Sequence, residues 1–215
     1  MKIGTLNVNG LNIDQTGLKL TSIDTYIQKY GIDILFLQET HIDNLDLGNK
    51  IAEKLGGKIF WSLTGNTNRK GVGIFINNSC NASIIKFHHD VEGRLIYVDI
   101  DKGLTFRLIN IYAHNYPASR KQFFRDLIHV FNTNRTIILA GDFNCAANTS
   151  LDKVGGNPQE GTQGWKELSQ VISTRNLVDV FLDTSTLILF QQHGKVMESL
   201  SDSTDFIFTI INFNL

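Results

Sequence analysis

Ten short segments carry the apolar runs and alternation that are typical of β-strands. The first segment, 2–9, alternates, whereas 33–40 contains a continuous apolar run from Ile34 to Leu37. A continuous run predicts a strand that is buried on both faces. Gly, Asn and Asp residues, which favour turns, separate most of the segments. The predicted strands are 2–9, 33–40, 58–63, 71–77, 82–88, 95–100, 104–113, 136–144, 177–181 and 205–210.

Helical spacing of apolar residues appears in three stretches, 20–30, 124–131 and 165–172. We interpret each stripe as a face that packs on the core. Many strands with a few interspersed helices predict two packed sheets covered by helices. The stretch 155–164 is rich in Gly and polar residues, which predicts a surface loop rather than a domain boundary.

Composition is that of an ordinary globular protein, with 42% hydrophobic and 19% charged residues. A chain of 215 residues suits one domain, which we expect to span 1–215. No run of about 18 apolar residues exists, so we expect no membrane span. The N-terminus lacks the apolar run of a signal peptide, so we do not expect secretion.

Charge and cysteine content limit the classes of function and the compartment that the sequence allows. The net charge of −1 argues against a protein that coats nucleic acid by bulk charge. A nuclease tolerates this balance, because a metal and a few local cations can hold one phosphate. Cys80 and Cys145 fit neither a disulfide framework nor a zinc pattern, which indicates a reducing compartment.

Polar residues that suit a hard cation stand beside the ends of four predicted strands. They are Asn7, Glu39, Asp142, Asn144 and Asp205. Polar groups next to buried strands are costly unless they are paired or bound, so this placement favours a functional site. Mg²⁺ is commonly held by one or two carboxylates with water and substrate oxygens. Spacing alone predicts no more than a candidate metal site, since each residue also fits a turn or a surface ion pair.

Five motifs, in this order, resemble the endonuclease/exonuclease/phosphatase superfamily: TLNVNGL, ILFLQETHI, GVGIFI, LINIYAHN and ILAGDFN. The closest likeness is to the endonuclease domain of LINE-type retrotransposons, a group similar to apurinic/apyrimidinic endonucleases and exonuclease III. It covers residues 1 to about 210. The resemblance implies a DNase I-like α/β fold, a four-layered sandwich of two packed, mainly antiparallel sheets flanked by helices.

The resemblance also implies a metal site. Glu39 would be the main Mg²⁺ ligand, with Asn7 beside it, and Mn²⁺ would be a substitute. Asp142 would orient or deprotonate the attacking water, and Asn144 would hold that water and a phosphate oxygen. Both would lie close enough to belong to the metal site.

Substrate contacts follow from the same resemblance. Tyr112 would donate its hydroxyl to the scissile phosphate, Asn115 would support that side of the site, and Asp205 would position its partners. Arg69 and Arg94 are candidates for phosphate contacts, although solvated surface charge is the simpler interpretation of each.

Three further basic residues flank a predicted helix start and are also candidates for phosphate contacts: Arg120, Lys121 and Arg125. Solvated surface charge is again the simpler interpretation of each. His41 is a candidate for a local proton relay beside Glu39.

The sequence departs from the family near its C-terminal end. The family carries a Ser-Asp-His motif beyond the strand that corresponds to 205–210, and this sequence ends in INFNL without it. We therefore expect a domain that lacks the final strand and that motif. His193 would be the substitute for the missing histidine, although a solvated loop residue is the simpler interpretation. His114 replaces the proline that usually follows NIYA.

We expect a Mg²⁺-dependent hydrolase that cuts phosphodiester bonds in DNA, an endonuclease of the retrotransposon or apurinic/apyrimidinic type. We expect a monomer inside the cell, in the nucleus, with a reverse transcriptase domain in a full-length parent. One alternative is a catalytically impaired remnant that binds metal and DNA only. Another is a hydrolase of the same superfamily that acts on phosphoinositides or sphingomyelin.

Overall fold

The computed structural model describes residues 1–11, 17–63, 70–145, 163–175, 177–179 and 206–210, with only the backbone for 178–179 and 206–210. Ten strands lie within these ranges: β1 (Ile3–Asn7), β2 (Ile34–Gln38), β3 (Gly57–Ser62), β4 (Val72–Asn77), β5 (Ser83–His89), β6 (Leu95–Asp101), β7 (Thr105–Tyr112), β8 (Thr136–Asp142), β9 (Val178–Asp179) and β10 (Phe206–Ile210). The α-helices are α1 (Leu18–Tyr30), α2 (Leu45–Lys54), α3 (Pro117–Asp126) and α4 (Trp165–Thr174). None of these helices has the length and apolar character that crossing a membrane requires.

The strands form two mixed sheets, with the orders β1-β2-β4-β3 and β5-β6-β7-β8-β10-β9. The strands β2, β4 and β3 pair antiparallel, as do β5, β6 and β7. In contrast, β1 pairs parallel with β2, and β7, β8, β10 and β9 form a parallel run. The parallel pairs β1–β2 and β7–β8 arise because α1 and α3 cross over between their strands. The expected two-sheet sandwich is confirmed, with mixed sheets in place of mainly antiparallel ones.

Three apolar clusters make the four layers. The central cluster lies between the sheets and includes Phe36 and Ile74 of the first sheet and Val98 and Ile138 of the second. A second cluster joins the outer face of the first sheet to α1 and α2. A third joins the outer face of the second sheet to α3 and α4. The chain therefore stacks helices, sheet, sheet and helices.

The strand β2 shows why a continuous apolar run predicts a doubly buried strand. Ile34 and Phe36 face the inter-sheet core, whereas Leu35 and Leu37 face the helices. All four side chains are fully buried. The residues that follow this strand therefore emerge at a fixed point, the edge of the sheet.

Helix α2 was not predicted from the sequence. Asn44 caps it by accepting a hydrogen bond from Leu47 N at 2.8 Å, and Asp46 stands in its first turn. Its buried face is formed by Gly48, Ile51 and Ala52, so small residues weaken the apolar stripe. A Cβ atom at Gly48 would lie 2.6 Å from Nε1 of Trp61, which explains why a small residue is needed there.

A buried amide fastens the two sheets to each other. Asn110 of β7 is fully buried, and its Nδ2 donates to Leu37 O at 2.9 Å and to Gly73 O at 2.8 Å. Its Oδ1 accepts from Nε2 of Gln38 at 2.7 Å, and Gln38 in turn contacts Thr5. Each of these hydrogen bonds of Asn110 joins the second sheet to the first. One of the partners, Gln38, directly precedes Glu39.

Replacing Asn110 by alanine should therefore destabilise the protein strongly. The substitution leaves the Gln38 amide and two carbonyl groups buried without this partner, and each such group costs about 1–3 kcal/mol. We expect the free energy of unfolding, measured by urea denaturation, to fall by about 2–4 kcal/mol. The exposed Asn134→Ala is the control and should change it by less than about 0.5 kcal/mol. Equal effects of the two substitutions would contradict this role of Asn110.

Candidate active site

The carboxyl ends of two parallel strand pairs meet at one edge of the sandwich. In the first sheet Asn7 is in register with Gln38, and Glu39 follows directly. In the second sheet Tyr112 is in register with Asp142. Nδ2 of Asn7 donates to Glu39 Oε1 at 2.8 Å and to Asp142 Oδ2 at 3.3 Å. One amide thus joins a carboxylate of each sheet.

Unusual backbone conformations are concentrated here. Among the described residues, five other than glycine have positive φ, and four of them lie at this edge. They are Asn9 (φ 42°), Glu39 (φ 51°), His41 (φ 55°) and Asn144 (φ 49°). Such conformations are costly and persist where the surrounding structure holds them, often at functional sites. Backbone bonds hold them here, including Gly10 N to Glu39 O at 2.6 Å.

Gly141 allows β8 to approach β7 closely just before Asp142. Its φ of 146° is unfavourable for other residues, and a Cβ atom would lie 2.1 Å from Ile111 O. Any side chain would push the strands apart and move Asp142 away from Tyr112. The glycine of ILAGDFN is therefore needed for the geometry of the site.

Asp142 is buried, with 1% of its surface exposed. Burial raises its pKa from 3.8 to about 6, and the charge of Glu39 acts in the same direction. Hydrogen bonds from Asn144 N to Oδ1 at 3.0 Å and from Asn7 oppose the rise in pKa. These bonds also fix the orientation of the carboxylate.

Tyr112 faces both carboxylates. Burial raises the pKa of its phenol above the usual value, and the charge of Glu39, its hydrogen bond with Glu39 and the charge of Asp142 add to this. The phenol is therefore protonated at neutral pH and acts as a donor. The guanidinium of Arg94 lies 5.1 Å from the ring centroid, and its Nη1 donates to Tyr112 O at 3.1 Å.

The loop after β8 is tied to the loop after β7. Nδ2 of Asn144 donates to Ala113 O at 2.8 Å and to Asn115 Oδ1 at 2.9 Å. Asn115 itself is exposed, so its side chain lies at the mouth of the site. The structure thus brings Asn144 and Asn115 together on the side of Tyr112.

Arg120 differs from the simpler interpretation of a solvated charge, because only 3% of its surface is exposed. Its Nη1 donates to His114 O at 3.0 Å and to Asn115 O at 2.8 Å. Its Nε and Nη2 donate to Gln163 O at 2.9 and 2.7 Å. Arg120 therefore holds the backbone that carries Asn115. Carbonyl groups that meet only in the folded chain give no sequence signal for this role.

Basic groups surround Glu92 at the rim of the site. Its Oε2 lies 3.9 Å from Lys70 Nζ, 3.6 Å from Arg94 Nε and 3.8 Å from His114 Nε2. Burial lowers the pKa of His114, and the charge of Arg94 lowers it further, so this histidine is neutral at neutral pH. The Arg94 Nε atom is buried and forms no hydrogen bond.

The oxygen atoms of Glu39, Asp142 and Asn7 make a donor set for a cation. Within the described ranges, no lysine or arginine forms an ion pair with either carboxylate, and His41 Nε2 lies 3.9 Å from Glu39. The same ranges hold no group of three or more His, Cys, Asp or Glu residues placed for a metal. Two carboxylates with amide oxygens fit Mg²⁺, which keeps several waters, better than a closed zinc site.

Asp205 and Arg69, which the sequence suggested, lie outside the described residues, as does His193. Seven of the suggested residues meet at this edge: Asn7, Glu39, Arg94, Tyr112, Asn115, Asp142 and Asn144. Their catalytic and binding roles stay predictions.

Comparisons with known proteins agree with this fold. A sequence profile described as the endonuclease/exonuclease/phosphatase family matches residues 4–168. The chain is 26% identical over 187 residues to the transposon TX1 uncharacterized 149 kDa protein of Xenopus laevis. That match covers 84% of this chain and spans 14% of the length of the transposon protein.

Solved structures are similar in fold. An AP endonuclease from Archaeoglobus fulgidus superposes with a TM-score of 0.67 at 17% identity, covering 92% of this chain and 85% of that one. A 3′-5′ exonuclease from Neisseria meningitidis gives a TM-score of 0.56 at 23% identity, covering 82% and 75%. At these identities the likeness shows a shared α/β sandwich.

The raised pKa of Asp142 should make the stability of the metal-free protein depend on pH. Between pH 4 and 6 the folded carboxyl keeps a proton that the unfolded chain loses, so stability falls as pH rises through this window. Asp142→Asn removes this penalty. In buffer that contains a chelator, the unfolding free energy of Asp142→Asn relative to wild type should rise between pH 4 and 6 by up to about 3 kcal/mol. Above pH 6 this difference should stay constant.

Urea denaturation at several pH values measures this difference. The exposed Asp126→Asn is the matched control, and its difference from wild type should not change over the same window. If the unfolding free energy of Asp142→Asn relative to wild type did not change with pH, burial would not destabilise the charged form of Asp142.

Proposed function

The chain belongs to the endonuclease/exonuclease/phosphatase family, and from this premise we propose that it hydrolyses phosphodiester bonds in DNA with a bound Mg²⁺. The observation that carries the proposal is the bridge from Asn7 to Glu39 and Asp142, which gathers two carboxylates from separate sheets beside Tyr112. A phosphate and a divalent cation together need such oxygen ligands and such a donor.

Glu39 and Asn7 would hold the cation, with Asp142 and Asn144 close to it, and Mn²⁺ would serve as a substitute. When bound, the cation neutralises phosphate oxygens and increases the acidity of water. The buried Asp142 and the partly buried Glu39 form no ion pair with a lysine or arginine in the described ranges, which supports this assignment. The positive-φ backbone at Glu39 fits a side chain that must be held in one direction.

Asp142 would act on the attacking water. Its Oδ1 is held by the backbone N–H of Asn144, so the carboxylate has one orientation. A carboxylate held in this way can align a water molecule and accept its proton. Asn144 would hold the same water and a phosphate oxygen, from a loop that is fixed to Ala113 and Asn115.

Tyr112 would donate its hydroxyl to the scissile phosphate, since its raised pKa keeps the proton in place. Asn115 would support this side from the mouth of the site. Arg94 would bind a phosphate through its Nε, in the place that the half-exposed Glu92 carboxylate takes in the free protein. Roles for Asp205 in positioning and Arg69 in phosphate binding stay part of the proposal.

A DNA substrate leads to proposals for the origin, the location and the oligomeric state of the protein. The matching transposon protein supports a mobile-element origin, and a reverse transcriptase domain would belong to a longer parent. We place the activity in the nucleus, a reducing compartment of the kind that the content of two cysteines indicates, and we propose a monomer.

Nicking of supercoiled plasmid tests the proposal. Mg²⁺ should convert supercoiled to open-circular DNA, and a chelator should abolish the reaction. Glu39→Gln and Asp142→Asn should each slow nicking by at least about 10²-fold, because each removes a charge that acts on the phosphate or the water. The exposed Glu53→Gln and Asp126→Asn are matched controls and should cut at the wild-type rate.

Three other outcomes would overturn the proposal. Equal nicking by wild type, Glu39→Gln and Asp142→Asn would mean that a contaminant cuts the plasmid. DNA binding without nicking by the wild type would identify a catalytically impaired remnant. Hydrolysis of an inositol phosphate or of sphingomyelin without nicking would place the chain in the phosphatase branch of the family.

The salt dependence of DNA binding tests the phosphate contact of Arg94. Arg94→Ala should weaken binding to all sequences alike and reduce the slope of log K against log salt concentration by about 1. Arg94→Lys keeps a charge and should retain the slope. Arg125→Ala is the control, since that side chain is 59% exposed and forms an ion pair with Glu167. An unchanged slope in folded Arg94→Ala, checked by circular dichroism, would remove Arg94 from the phosphate contacts.

A further inference from the structure

Among the Phe, Tyr and Trp side chains that the structure describes, two are exposed, Phe87 at 50% and Tyr116 at 70%. Phe87 packs against Phe60 with 5.2 Å between ring centroids, on the edge strand β5. Tyr116 directly follows Asn115, whose side chain accepts a hydrogen bond from Asn144. Of the two exposed rings, only Tyr116 therefore adjoins the candidate active site.

The backbone that carries Tyr116 is fixed on both sides. Before it, the buried Arg120 guanidinium binds the carbonyls of His114 and Asn115. After it, Pro117 begins helix α3, and Tyr116 O accepts from Arg120 N at 3.0 Å. A rigid backbone with an exposed ring loses little conformational entropy when the ring binds a flat partner.

The ring has no partner within the part of the chain that the structure describes. No contact with another aromatic ring or with a cation involves Tyr116 there, whereas the neighbouring His114 packs edge-on against Phe123 at 5.7 Å. A single exposed tyrosine is common on protein surfaces. This one is distinguished by its place beside the side chains that would hold the phosphate and by its fixed backbone.

We propose that Tyr116 stacks on a nucleobase next to the scissile phosphate, a base that has left the duplex stack. The proposal rests on the proposed function, because Asn115 and Asn144 define where the phosphate lies. Consecutive Cα atoms are about 3.8 Å apart, and nucleotides repeat every ~3.4 Å along a strand. A ring one residue from a phosphate-binding side chain therefore reaches a base one or two positions from the cut.

Stacking on Tyr116 would select DNA by whether a base is unpaired or unstacked, and not by its sequence. Every base offers a π-face, so stacking on tyrosine is tolerant of sequence. A base that is unpaired or at a flexible step is freed at lower cost than one within a stable stack. The chain should therefore prefer DNA with an unpaired or easily unstacked base beside the cleaved bond.

Binding measurements in the Glu39→Gln background test the proposal without cleavage. Fluorescence anisotropy would follow a duplex oligonucleotide that contains one unpaired base. Tyr116→Ala should weaken binding about 5- to 100-fold, whereas Tyr116→Phe and Tyr116→Trp should stay within about twofold of Tyr116 because they keep a ring. Phe87→Ala, the matched exposed aromatic, should bind like the parent. The salt slope should be unchanged in Tyr116→Ala, since no phosphate contact is lost.

A double-mutant cycle then locates the base. An abasic analogue is placed at each position beside the cut, which removes one base at a time. The Tyr116 protein should lose affinity at one position, and Tyr116→Ala should show no further loss there. Coupling at one position only supports stacking on that base.

The outcomes that overturn stacking are separate from failure of the proposed function. Equal binding by Tyr116→Ala and Phe87→Ala, or equal weakness of Tyr116→Phe and Tyr116→Ala, overturns stacking while plasmid nicking stands. Absence of any coupling to an abasic position does the same. Absence of DNA binding by the parent protein overturns both proposals.

Discussion

Two carboxylates, the partly buried Glu39 beside the first sheet and the buried Asp142 of the second, are held side by side by a single amide. Within the described ranges neither Glu39 nor Asp142 forms an ion pair with a lysine or arginine, so two like charges lie close together at this edge. Such an arrangement is costly unless something positive completes it, and burial together with the charge of Glu39 raises the pKa of Asp142. The rest of the edge is built to keep these two groups together.

The structure behind the two carboxylates holds them in position. Asn110 fastens the two sheets one residue from Glu39, and Gly141 lets β8 lie close against β7. Arg120 fixes the loop that carries Asn115. Buried polar networks of this kind are stable only when every member is satisfied. The positions that define the site are therefore those where the fold has little freedom.

The sequence predicted the parts of this structure that depend on local pattern. The run from Ile34 to Leu37 indicated a doubly buried strand, and the two-sheet sandwich and the family are confirmed. Helix α2 was missed because Gly48 and Ala52 weaken its apolar face. The role of Arg120 was missed because its carbonyl partners come together only in the folded chain. Long-range contacts between polar groups leave no periodic signal along a chain.

Binding of a divalent cation tests the central assignment most directly. Mn²⁺ binding, followed by electron paramagnetic resonance and by displacement with Mg²⁺, reports on the site without DNA or catalysis. We expect saturable binding by the wild type that Mg²⁺ displaces, and strongly weakened binding by Glu39→Gln but not by the exposed Glu53→Gln. Absence of binding in the folded wild type, or equal binding by Glu39→Gln, would contradict a metal centre built on these carboxylates.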